Sequence, residues 1–332
     1  MRTIPAVSEH PTPPTMRAIS VAAPGGPEAL RIAEVPTPTR VGHELLIRVL
    51  AAGVNPVDAK TRAGKGVAPG AVWPLIPGYD FSGIVVESPY QSFPLQPGDE
   101  VFGMTAFPRT GGSYAEYVAV PALSVARKPS VLSHAEAAAV PLAALTAWGA
   151  VVDLAKAHEG QKVLIHAGSG GVGHLAVQFA AYFGAEVTAT SSPANADWLL
   201  SLGATRVVDY TATAFEDVLS DLDVVIDGVG NGAENTGRRS LQVLRHGGLI
   251  VSLPSAGWPT MMEDAAECGV RATNYFVQPD AGTLSVIARL ITSGDVRVTA
   301  DTVLPLEEAE RAHILVEQGH VRGKIALQVS DY

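Results

Sequence analysis

The sequence contains a single cysteine, Cys268, among its 332 residues. One cysteine excludes a disulfide within the chain and a metal site built from several thiolates. Scarce cysteine is also typical of a reducing compartment, so we expect a cytoplasmic protein. The longest apolar stretch, about residues 140–152, is interrupted by Pro141, Thr146 and Gly149. It falls short of the ~20 residues that span a bilayer, so no membrane segment is predicted.

Positive charge is scarce as well. The chain has 23 lysine and arginine residues against 33 aspartate and glutamate residues, for a formal net charge of −10. Surfaces that bind nucleic acid or anionic membranes require clustered lysine and arginine. We therefore expect no nucleic-acid partner, while a small-molecule substrate remains compatible with this charge.

The first fifteen residues, "MRTIPAVSEHPTPPT", lack the apolar core of a signal peptide and contain four prolines. Such a composition is typical of extended chain that carries no regular hydrogen bonding. We predict a flexible N-terminal extension over residues 1–15, with ordered structure beginning near Met16.

The remaining chain shows two different sequence patterns, and its length favours two domains. Residues 16–135 contain short runs rich in valine and isoleucine, such as "ELLIRVLAAGV", separated by turn-forming pairs, which predicts a β-rich domain. In residues 136–290 strand-like runs alternate with helical patterns such as 172–183, which predicts an α/β domain with a doubly wound parallel sheet. Residues 291–332 contain a helix between two strand-like runs, and we expect them to return to the first domain.

A glycine-rich segment follows the first strand-like run of the α/β region. It fits the pattern G-x-G-x-x-G and consists of Gly168, Ser169, Gly170, Gly171, Val172 and Gly173. Glycines let the backbone approach a pyrophosphate, and the N-terminus of the following helix presents unpaired N–H groups to it. The motif alone is weak, but here a strand precedes it and a helix and second strand follow. The segment therefore predicts a dinucleotide site.

The end of the second strand favours NADP(H) over NAD(H). Enzymes that use NAD commonly carry an acidic residue there, which accepts a hydrogen bond from the ribose 2′-hydroxyl. This chain has Ser191 and Ser192 instead, and hydroxyls donate to a 2′-phosphate that a carboxylate would repel. The loop "SSPANADW" contains no lysine or arginine, so an ordinary serine-rich turn is the alternative interpretation.

Several segments together resemble the zinc-free quinone oxidoreductases of the medium-chain dehydrogenase/reductase superfamily, over nearly all of residues 16–332. They are "AAGVNPVDAKTRAG", "PLIPGYDFSGIV", "PGDEVFG", "GGSYAEY", "PLAALTAW", "VLIHAGSGGVG", "LGATRVVDY" and "HVRGKIALQV". The form "NPVDAK" is similar to that of alkenal and enone reductases. The resemblance implies a GroES-like catalytic domain, a Rossmann cofactor domain, a cleft between them and a homodimer.

The chain departs from the zinc-dependent branch of this superfamily at the metal ligands. Asn55 stands where that branch has a cysteine, Tyr79 and Asp80 stand where it has a His-Glu pair, and the four-cysteine lobe is missing. We therefore expect no zinc site. Without a Lewis acid to stabilise an alkoxide, the expected reaction is hydride transfer from NADPH to an electrophilic acceptor. A quinone or an α,β-unsaturated carbonyl compound fits this description.

Three residues are the catalytic candidates. The resemblance places Asn55 beside the nicotinamide ribose, although Asn-Pro is also a common helix start. Lys60 is expected to donate to the cofactor or to an enolate oxygen, with a solvated helix lysine as the alternative. Tyr79 is expected to donate to the substrate carbonyl, and the alternative is that it packs beneath its loop.

Further cofactor contacts are predicted at strand ends and in the tail. Tyr210 and Leu253 end the third and fifth strand-like runs, and Val229 follows the fourth. Tyr210 could stack near adenosine or pack in the core. Arg322 and Lys324 lie where the family has a residue that reaches back to the cofactor, with a surface position as the alternative.

Aromatic residues and one histidine complete the candidates. Trp73, Phe107 and Tyr275 are expected either to line the cleft and face a flat acceptor or to pack in the core. His166 ends the first strand-like run of the α/β region, and we interpret it as a hydrogen-bonded turn residue rather than a catalyst.

Two other functions are compatible with the same residues. One is a dedicated enoyl or enone reductase of a biosynthetic pathway, such as a polyketide pathway. The other is an NADPH-binding protein with a structural or redox-sensing role. An intact glycine loop does not separate an enzyme from such a binding protein.

Overall fold

The computed structural model describes residues 12–66, 71–109, 111–232, 234–254 and 257–331. Most of the predicted N-terminal extension, residues 1–11, lies outside this part, so its flexibility stays a prediction. The first strand begins at Thr15, one residue before the expected start at Met16.

The described residues form strands and α-helices throughout their length. The strands are β1 (Thr15–Ser20), β2 (Arg31–Pro36), β3 (Glu44–Val54), β4 (Asp80–Glu87), β5 (Glu100–Met104), β6 (Tyr117–Pro121), β7 (Val125–Arg127), β8 (Lys162–Ile165), β9 (Glu186–Ser191), β10 (Arg206–Asp209), β11 (Leu222–Asp227), β12 (Leu244–Ser252), β13 (Arg271–Asn274), β14 (Thr302–Pro305) and β15 (Ile325–Gln328). The α-helices are α1 (Pro56–Arg62), α2 (His134–Ala138), α3 (Pro141–Trp148), α4 (Gly173–Tyr182), α5 (Ala196–Ser201), α6 (Thr236–Ser240), α7 (Met261–Glu267), α8 (Ala281–Ser293) and α9 (Ala309–Gln318).

The first domain is built on a mainly antiparallel sheet around β3. Its strand order is β14-β15-β3-β4-β5-β7, β6 also pairs with β3, and β1 and β2 form a separate antiparallel pair. Strand β3 is buried along nearly its whole length, as expected for a central strand. This arrangement confirms the β-rich domain that the valine- and isoleucine-rich runs predict.

The tail of the chain joins this same sheet. Strand β15 pairs antiparallel with β3, with Ile325 opposite Val54, and β14 pairs parallel with β15. Helix α9 lies between β14 and β15 in the chain and packs on the first domain. The pairing brings residues near 55 and near 324 side by side, which the site requires. The domain boundaries at 135/136 and 290/291 stay predictions.

The second domain has a six-stranded parallel sheet in the order β10-β9-β8-β11-β12-β13, which confirms the predicted Rossmann-type α/β fold. The chain order reverses direction between β8 and β11. Ligands of such sheets bind beyond the carboxyl ends of the strands at this reversal. The glycine-rich segment follows β8 and therefore lies at this position.

Close packing at two glycines sets the turn between β8 and α4. A Cβ at Gly173 would lie 2.1 Å from the carbonyl oxygen of Ala167, and a Cβ at Gly168 would lie 2.7 Å from the Cβ of Ala189. Only glycine therefore lets α4 begin directly against β8 and β9. The result is a buried helix whose N-terminus points to the carboxyl edge of the sheet.

Candidate active-site cleft

A cleft with a volume of about 470 Å³ lies between the carboxyl edge of the parallel sheet and the first domain. One wall comes from the second domain and includes the glycine loop. The other wall comes from the first domain and includes Asn55, Lys60 and Lys324. Such a cleft between domains is where a ligand site is expected.

The second-domain wall carries most of the predicted loop residues. Gly170, Gly171, Val172 and Gly173 line the cleft, as do Val229 and Leu253 at the ends of their strands. Gly168 and Ser169 lie behind this wall. The carbonyl oxygen of Ser169 accepts a hydrogen bond of 2.9 Å from the backbone N–H of Gly323, which ties the loop to the tail.

On the first-domain wall, Asn55 contacts three charged residues. Its backbone N–H donates to Asp58 Oδ2 at 2.7 Å, and its Nδ2 donates to Asp80 Oδ2 at 2.9 Å. Its Oδ1 accepts a hydrogen bond from Lys324 Nζ. Asn55 also precedes α1 in extended conformation, as a helix-capping residue does. Asn55 therefore starts a helix and lines the cleft, while its place beside a nicotinamide ribose stays a prediction.

Lys324 is buried rather than on the surface. Its Nζ also donates to the carbonyl oxygen of Val54 at 3.0 Å, and its side chain lines the cleft. Burial lowers the pKa of Lys324, while the negative charges of Asp80 and Asp58 oppose this shift. The tail residue thus places a cation inside the first-domain wall.

The two carboxyls beside this lysine titrate far from their usual range. Burial raises the pKa of Asp58 from 3.8 to about 7, and the nearby charge of Asp80 adds to the shift. Burial likewise raises the pKa of Asp80 from 3.8 to about 6, against the opposing charge of Lys324. Proton binding at these carboxyls therefore changes near neutral pH.

A chain of hydrogen bonds leads from Asp58 towards the protein surface. Arg62 Nη1 lies 3.3 Å from His313 Nδ1, and His313 Nε2 lies 3.3 Å from the hydroxyl of Tyr114. That hydroxyl donates to Asp58 Oδ2 at 3.4 Å. Because arginine can only donate, Nδ1 of His313 must accept and its Nε2 must carry the hydrogen. At the outer end, Arg62 Nη2 donates to Glu317 at 2.6 Å.

The structure places the other two catalytic candidates, Lys60 and Tyr79, in different surroundings. Lys60 is exposed and lines the cleft, so it is available to a ligand. Tyr79 is buried, and its ring makes an edge-on contact with Phe107 at 5.0 Å between centroids. Phe107 is on the cleft wall and Tyr79 is behind it, so the expected contact between Tyr79 and a substrate carbonyl is not seen in this geometry.

Of the aromatic candidates, Phe107 and Tyr275 line the cleft. Trp73 packs instead against the core of the first domain. His166 is buried, with Nδ1 at 3.2 Å from the hydroxyl of Thr190 and Nε2 at 2.9 Å from that of Ser240. It is the hydrogen-bonded turn residue that the sequence indicates, although one side of it also faces the cleft.

The residues predicted near the adenosine end lie together at the carboxyl ends of β9 and β10. Ser191 is buried and its hydroxyl donates to the carbonyl oxygen of Ser192 at 3.0 Å, whereas Ser192 is partly exposed. Tyr210 is half exposed, and its backbone N–H donates to the carbonyl oxygen of Ser191 at 3.4 Å. The three lie outside the cleft lining, along the same edge of the sheet.

Arg322 is also outside the cleft lining. Its guanidinium pairs with Asp301 at 2.6 Å and lies 5.5 Å from the ring centroid of Trp198, in the helix that follows the serine pair. The arginine is therefore close to the segment where the sequence lacks a cation.

The buried partners of Asn55, Asp58 and Asp80, were not predicted from the sequence. Asp58 was recognisable as an acidic residue in the first turn of α1, and Asp80 as the neighbour of Tyr79, but not as a pair. Tyr114 and His313 are 199 positions apart, so no local pattern connects them. Only the packing of α9 beside α1 brings this set together.

The donor set at this wall does not fit a zinc ion. Within the residues that the structure describes, no group of three or more His, Cys, Asp or Glu side chains is placed to hold a metal. Asp80 accepts from Asn55 and from the backbone N–H of Leu142, and the ammonium of Lys324 lies against Asn55. A second cation beside that ammonium would be repelled.

No helix in the described residues is long and apolar enough to cross a membrane.

Two family models match the chain. Residues 42–130 match the alcohol dehydrogenase GroES-like domain, and residues 202–327 match the zinc-binding dehydrogenase family. The first match falls within the first domain, and the second runs from the second domain into the tail that joins the first-domain sheet.

Similar proteins cover nearly the whole chain. A 2-methylene-furan-3-one reductase of Solanum lycopersicum is 36% identical over 95% of this chain and 79% of its own length. An NADPH-dependent alkenal/one oxidoreductase of Arabidopsis thaliana is 33% identical over 95% of this chain and 80% of its own. The solved quinone oxidoreductase of Coxiella burnetii superimposes with a TM-score of 0.90 at 36% identity, covering 95% of this chain and 100% of that one.

The NADPH dependence of the Arabidopsis enzyme agrees with the cofactor that the serine pair indicates. The resemblance seen in the sequence motifs is confirmed by both kinds of comparison. The chain belongs to the medium-chain dehydrogenase/reductase family, and its relatives are quinone and alkenal oxidoreductases.

Proposed function

We propose that this chain is an NADPH-dependent oxidoreductase that transfers hydride to a quinone or to the β-carbon of an α,β-unsaturated carbonyl compound, without a bound metal ion. The observation that carries the proposal is the cleft itself. It joins a glycine loop at a helix N-terminus to a wall that contains Asn55 and a buried lysine, Lys324. The activities after which the tomato, Arabidopsis and Coxiella relatives are named support the same reaction class.

In this proposal the loop at 168–173 and the N-terminus of α4 bind the pyrophosphate of NADP(H). The hydroxyl of Ser192 donates to the 2′-phosphate, Tyr210 packs on the adenosine side, and Arg322 supplies the cation that the loop after β9 lacks. Asn55 and Lys324 hold the ribose and carboxamide at the other end of the cleft.

Bound NADPH supplies the hydride. The protein contributes positioning and electrostatic stabilisation, because the acceptor is already electrophilic. Lys60, at the cleft wall, donates to the oxygen on which negative charge develops. Phe107 and Tyr275 provide a flat apolar surface that favours a conjugated acceptor and excludes water from it.

The test is to mix the protein and NADPH with a panel of quinones and enones and to follow the loss of nicotinamide absorbance. We expect turnover of several members of the panel. Fast turnover of one bulky enone alone would favour the dedicated biosynthetic reductase. Binding of NADPH without turnover of any member would discard the enzymatic proposal in favour of a structural or redox-sensing role. A homodimer and a cytoplasmic location stay predictions.

A further inference from the structure

Three ionisable side chains are buried directly behind the first-domain wall of the cleft. Asp58 and Asp80 are 0% exposed and Lys324 is 4% exposed. Asn55 bonds to all three and so connects them. We call Asp58, Asp80 and Lys324 the charge triad. Burying charges is costly unless they are compensated, and here two negative groups face one positive group.

The triad therefore has two accessible charge states. It carries a net charge of −1 when all three groups are ionised, and it is neutral when one carboxyl holds a proton. The pKa values of about 7 for Asp58 and about 6 for Asp80 allow both states near neutral pH.

We propose that the charge triad binds one proton when the cleft holds a reduced nicotinamide ring and releases that proton when the cleft holds the oxidised ring. The inference rests on the proposed function, because it requires a nicotinamide nucleotide in this cleft. The oxidised ring is a cation and the reduced ring is neutral. A negatively charged triad favours the cation, and a neutral triad removes this preference.

The charge triad is in direct contact with the cleft, because two residues belong both to the cleft wall and to the hydrogen bonds around the triad. Asn55 and Lys324 line the cleft and also bond within the triad network. Asp58 and Asp80 are fully buried, and both accept hydrogen bonds directly from Asn55 in this wall. In such surroundings charges interact more strongly than at the protein surface.

The other ionisable groups that face the triad do not gain or lose a proton near neutral pH. Burial raises the pKa of Tyr114 well above its usual 10, and burial also raises the pKa of Tyr79. Burial lowers the pKa of His313 to about 3 and that of His174 to about 4, so both histidines stay neutral.

Arg62, which follows His313 in the hydrogen-bonded chain, forms an ion pair with Glu317. Among the described residues packed against the triad, the proton uptake near neutral pH therefore belongs to Asp58 and Asp80.

The protons taken up and released by the charge triad are consistent with the proton count of the proposed reaction. Hydride addition to the β-carbon leaves an enolate, and the enolate takes up one proton at its α-carbon. Loss of the hydride would make the nicotinamide ring a cation, so the triad would release one proton to solvent, and the enolate would take its proton from solvent as well. When oxidised cofactor is replaced by reduced cofactor, the triad takes one proton from solvent, so one proton is consumed in each turnover.

The experiment is isothermal titration calorimetry of the full chain with NADP⁺ and, separately, with NADPH near pH 7. Each titration is run in two buffers that differ in ionisation enthalpy, which yields the number of protons exchanged on binding. Proton exchange by the 2′-phosphate itself is common to both nucleotides and cancels in the difference. We expect NADP⁺ to release up to one proton more than NADPH, and the ratio of the two Kd values to change by up to tenfold per pH unit.

Asp58→Asn is the matched variant. An amide oxygen at this position can still accept from the backbone N–H of Asn55, and the other oxygen of Asp58 has no hydrogen-bond partner among the described residues. We expect the proton difference to fall by at least half in this variant. Asp223→Asn is the control, because this carboxyl bonds to Lys162 and Arg245 at the opposite, amino end of the parallel sheet. It should keep the full difference.

The outcomes separate two failures. If neither nucleotide binds, the proposed function falls and this inference falls with it. If both bind and the unaltered protein shows equal proton counts for them, the inference alone is overturned. A difference that persists undiminished in Asp58→Asn and in Asp80→Asn would also overturn it, since the proton would then come from elsewhere. The measurement on the unaltered protein decides the matter even where a variant does not fold.

Discussion

The two walls of the cleft are built on different principles. The second-domain wall, which we call the backbone wall, includes the glycine turn: Gly170, Gly171 and Gly173 line the cleft, and Gly168 behind them lets α4 begin close to β8 and β9. The first-domain wall consists of buried polar and charged side chains around Asn55. The comparison shows how one cleft combines recognition by shape and N–H groups with recognition by charge. We therefore expect an added Cβ in the glycine turn to disturb the one wall, and loss of the Lys324 charge to disturb the other.

Removal of the buried cation should have the largest effect. In Lys324→Met the carboxyls of Asp58 and Asp80 lose their compensating charge, and Asn55 loses a donor. We expect the free energy of unfolding at neutral pH to fall by about 3–5 kcal/mol, as measured by urea denaturation. Lys162→Met, the same change at an exposed lysine, should alter it by no more than about 0.5 kcal/mol.

The loss in Lys324→Met should also depend on pH. The pKa values of Asp58 and Asp80 are raised in the folded state, so their contribution to stability is present below 3.8 and is lost as the pH rises through about 6 and 7. Without Lys324 the penalty for ionising them is larger. The stability gap between variant and unaltered protein should therefore widen from acidic to mildly alkaline pH, and a gap that narrows would contradict the compensating role of Lys324.

Addition of one methyl group tests the backbone wall. A Cβ at Gly173 would lie 2.1 Å from the carbonyl oxygen of Ala167, so Gly173→Ala must displace the start of α4. We expect a loss of about 1–3 kcal/mol in unfolding free energy and weaker NADPH binding, measured by fluorescence titration. Gly232→Ala is the control, because a Cβ there meets no described atom within 4 Å. Equal effects of the two variants would show that the loop packing does not matter.

A smaller effect is expected from the exposed cation on the charged wall. Lys60→Met should lower kcat/KM for an enone by roughly tenfold, the value of one hydrogen bond to a charged group, without changing the stability. Lys65→Met, at a nearby exposed lysine outside the cleft lining, serves as the control. Steady-state kinetics with NADPH would measure both. An unchanged kcat/KM in Lys60→Met would assign this lysine to the solvated helix surface.

The smallest effect concerns cofactor preference at the far end of the backbone wall. Ser192→Asp places a negative charge where the 2′-phosphate is expected, so we predict a Kd for NADPH several-fold higher, about 1 kcal/mol, and an unchanged Kd for NADH. Ser201→Asp adds the same charge to the exposed face of α5. If both variants weaken NADPH equally, the effect is one of net charge, and Ser192 has no specific contact.

The backbone wall was largely predictable from local sequence. Strand β8, the glycine segment and α4 follow one another within about twenty residues, and the expected helix 172–183 corresponds to α4 at Gly173–Tyr182. Strand β3 coincides with the run "ELLIRVLAAGV" that predicts it. Strands β5, β7 and β13 were missed, because runs of three to five residues carry too little periodicity.

The charged wall was only partly predictable. Asn55 and Lys324 were both candidates, but nothing in their neighbourhoods indicates that one bonds to the other. The surface alternative for Lys324 is wrong, since burial depends on β15 pairing with β3. Tyr79 was expected at the substrate, and the placement of Phe107 in front of it could not be foreseen.

By itself the sequence determined the two fold types, the glycine turn and the absence of the family's zinc ligands, because each depends on residues that are neighbours in the chain or on residue types that are missing. The tertiary structure alone decided that Asp58, Asp80 and Lys324 are buried together around Asn55. Their pKa values and charge depend on burial and on distances between segments up to 269 positions apart, which local patterns do not encode.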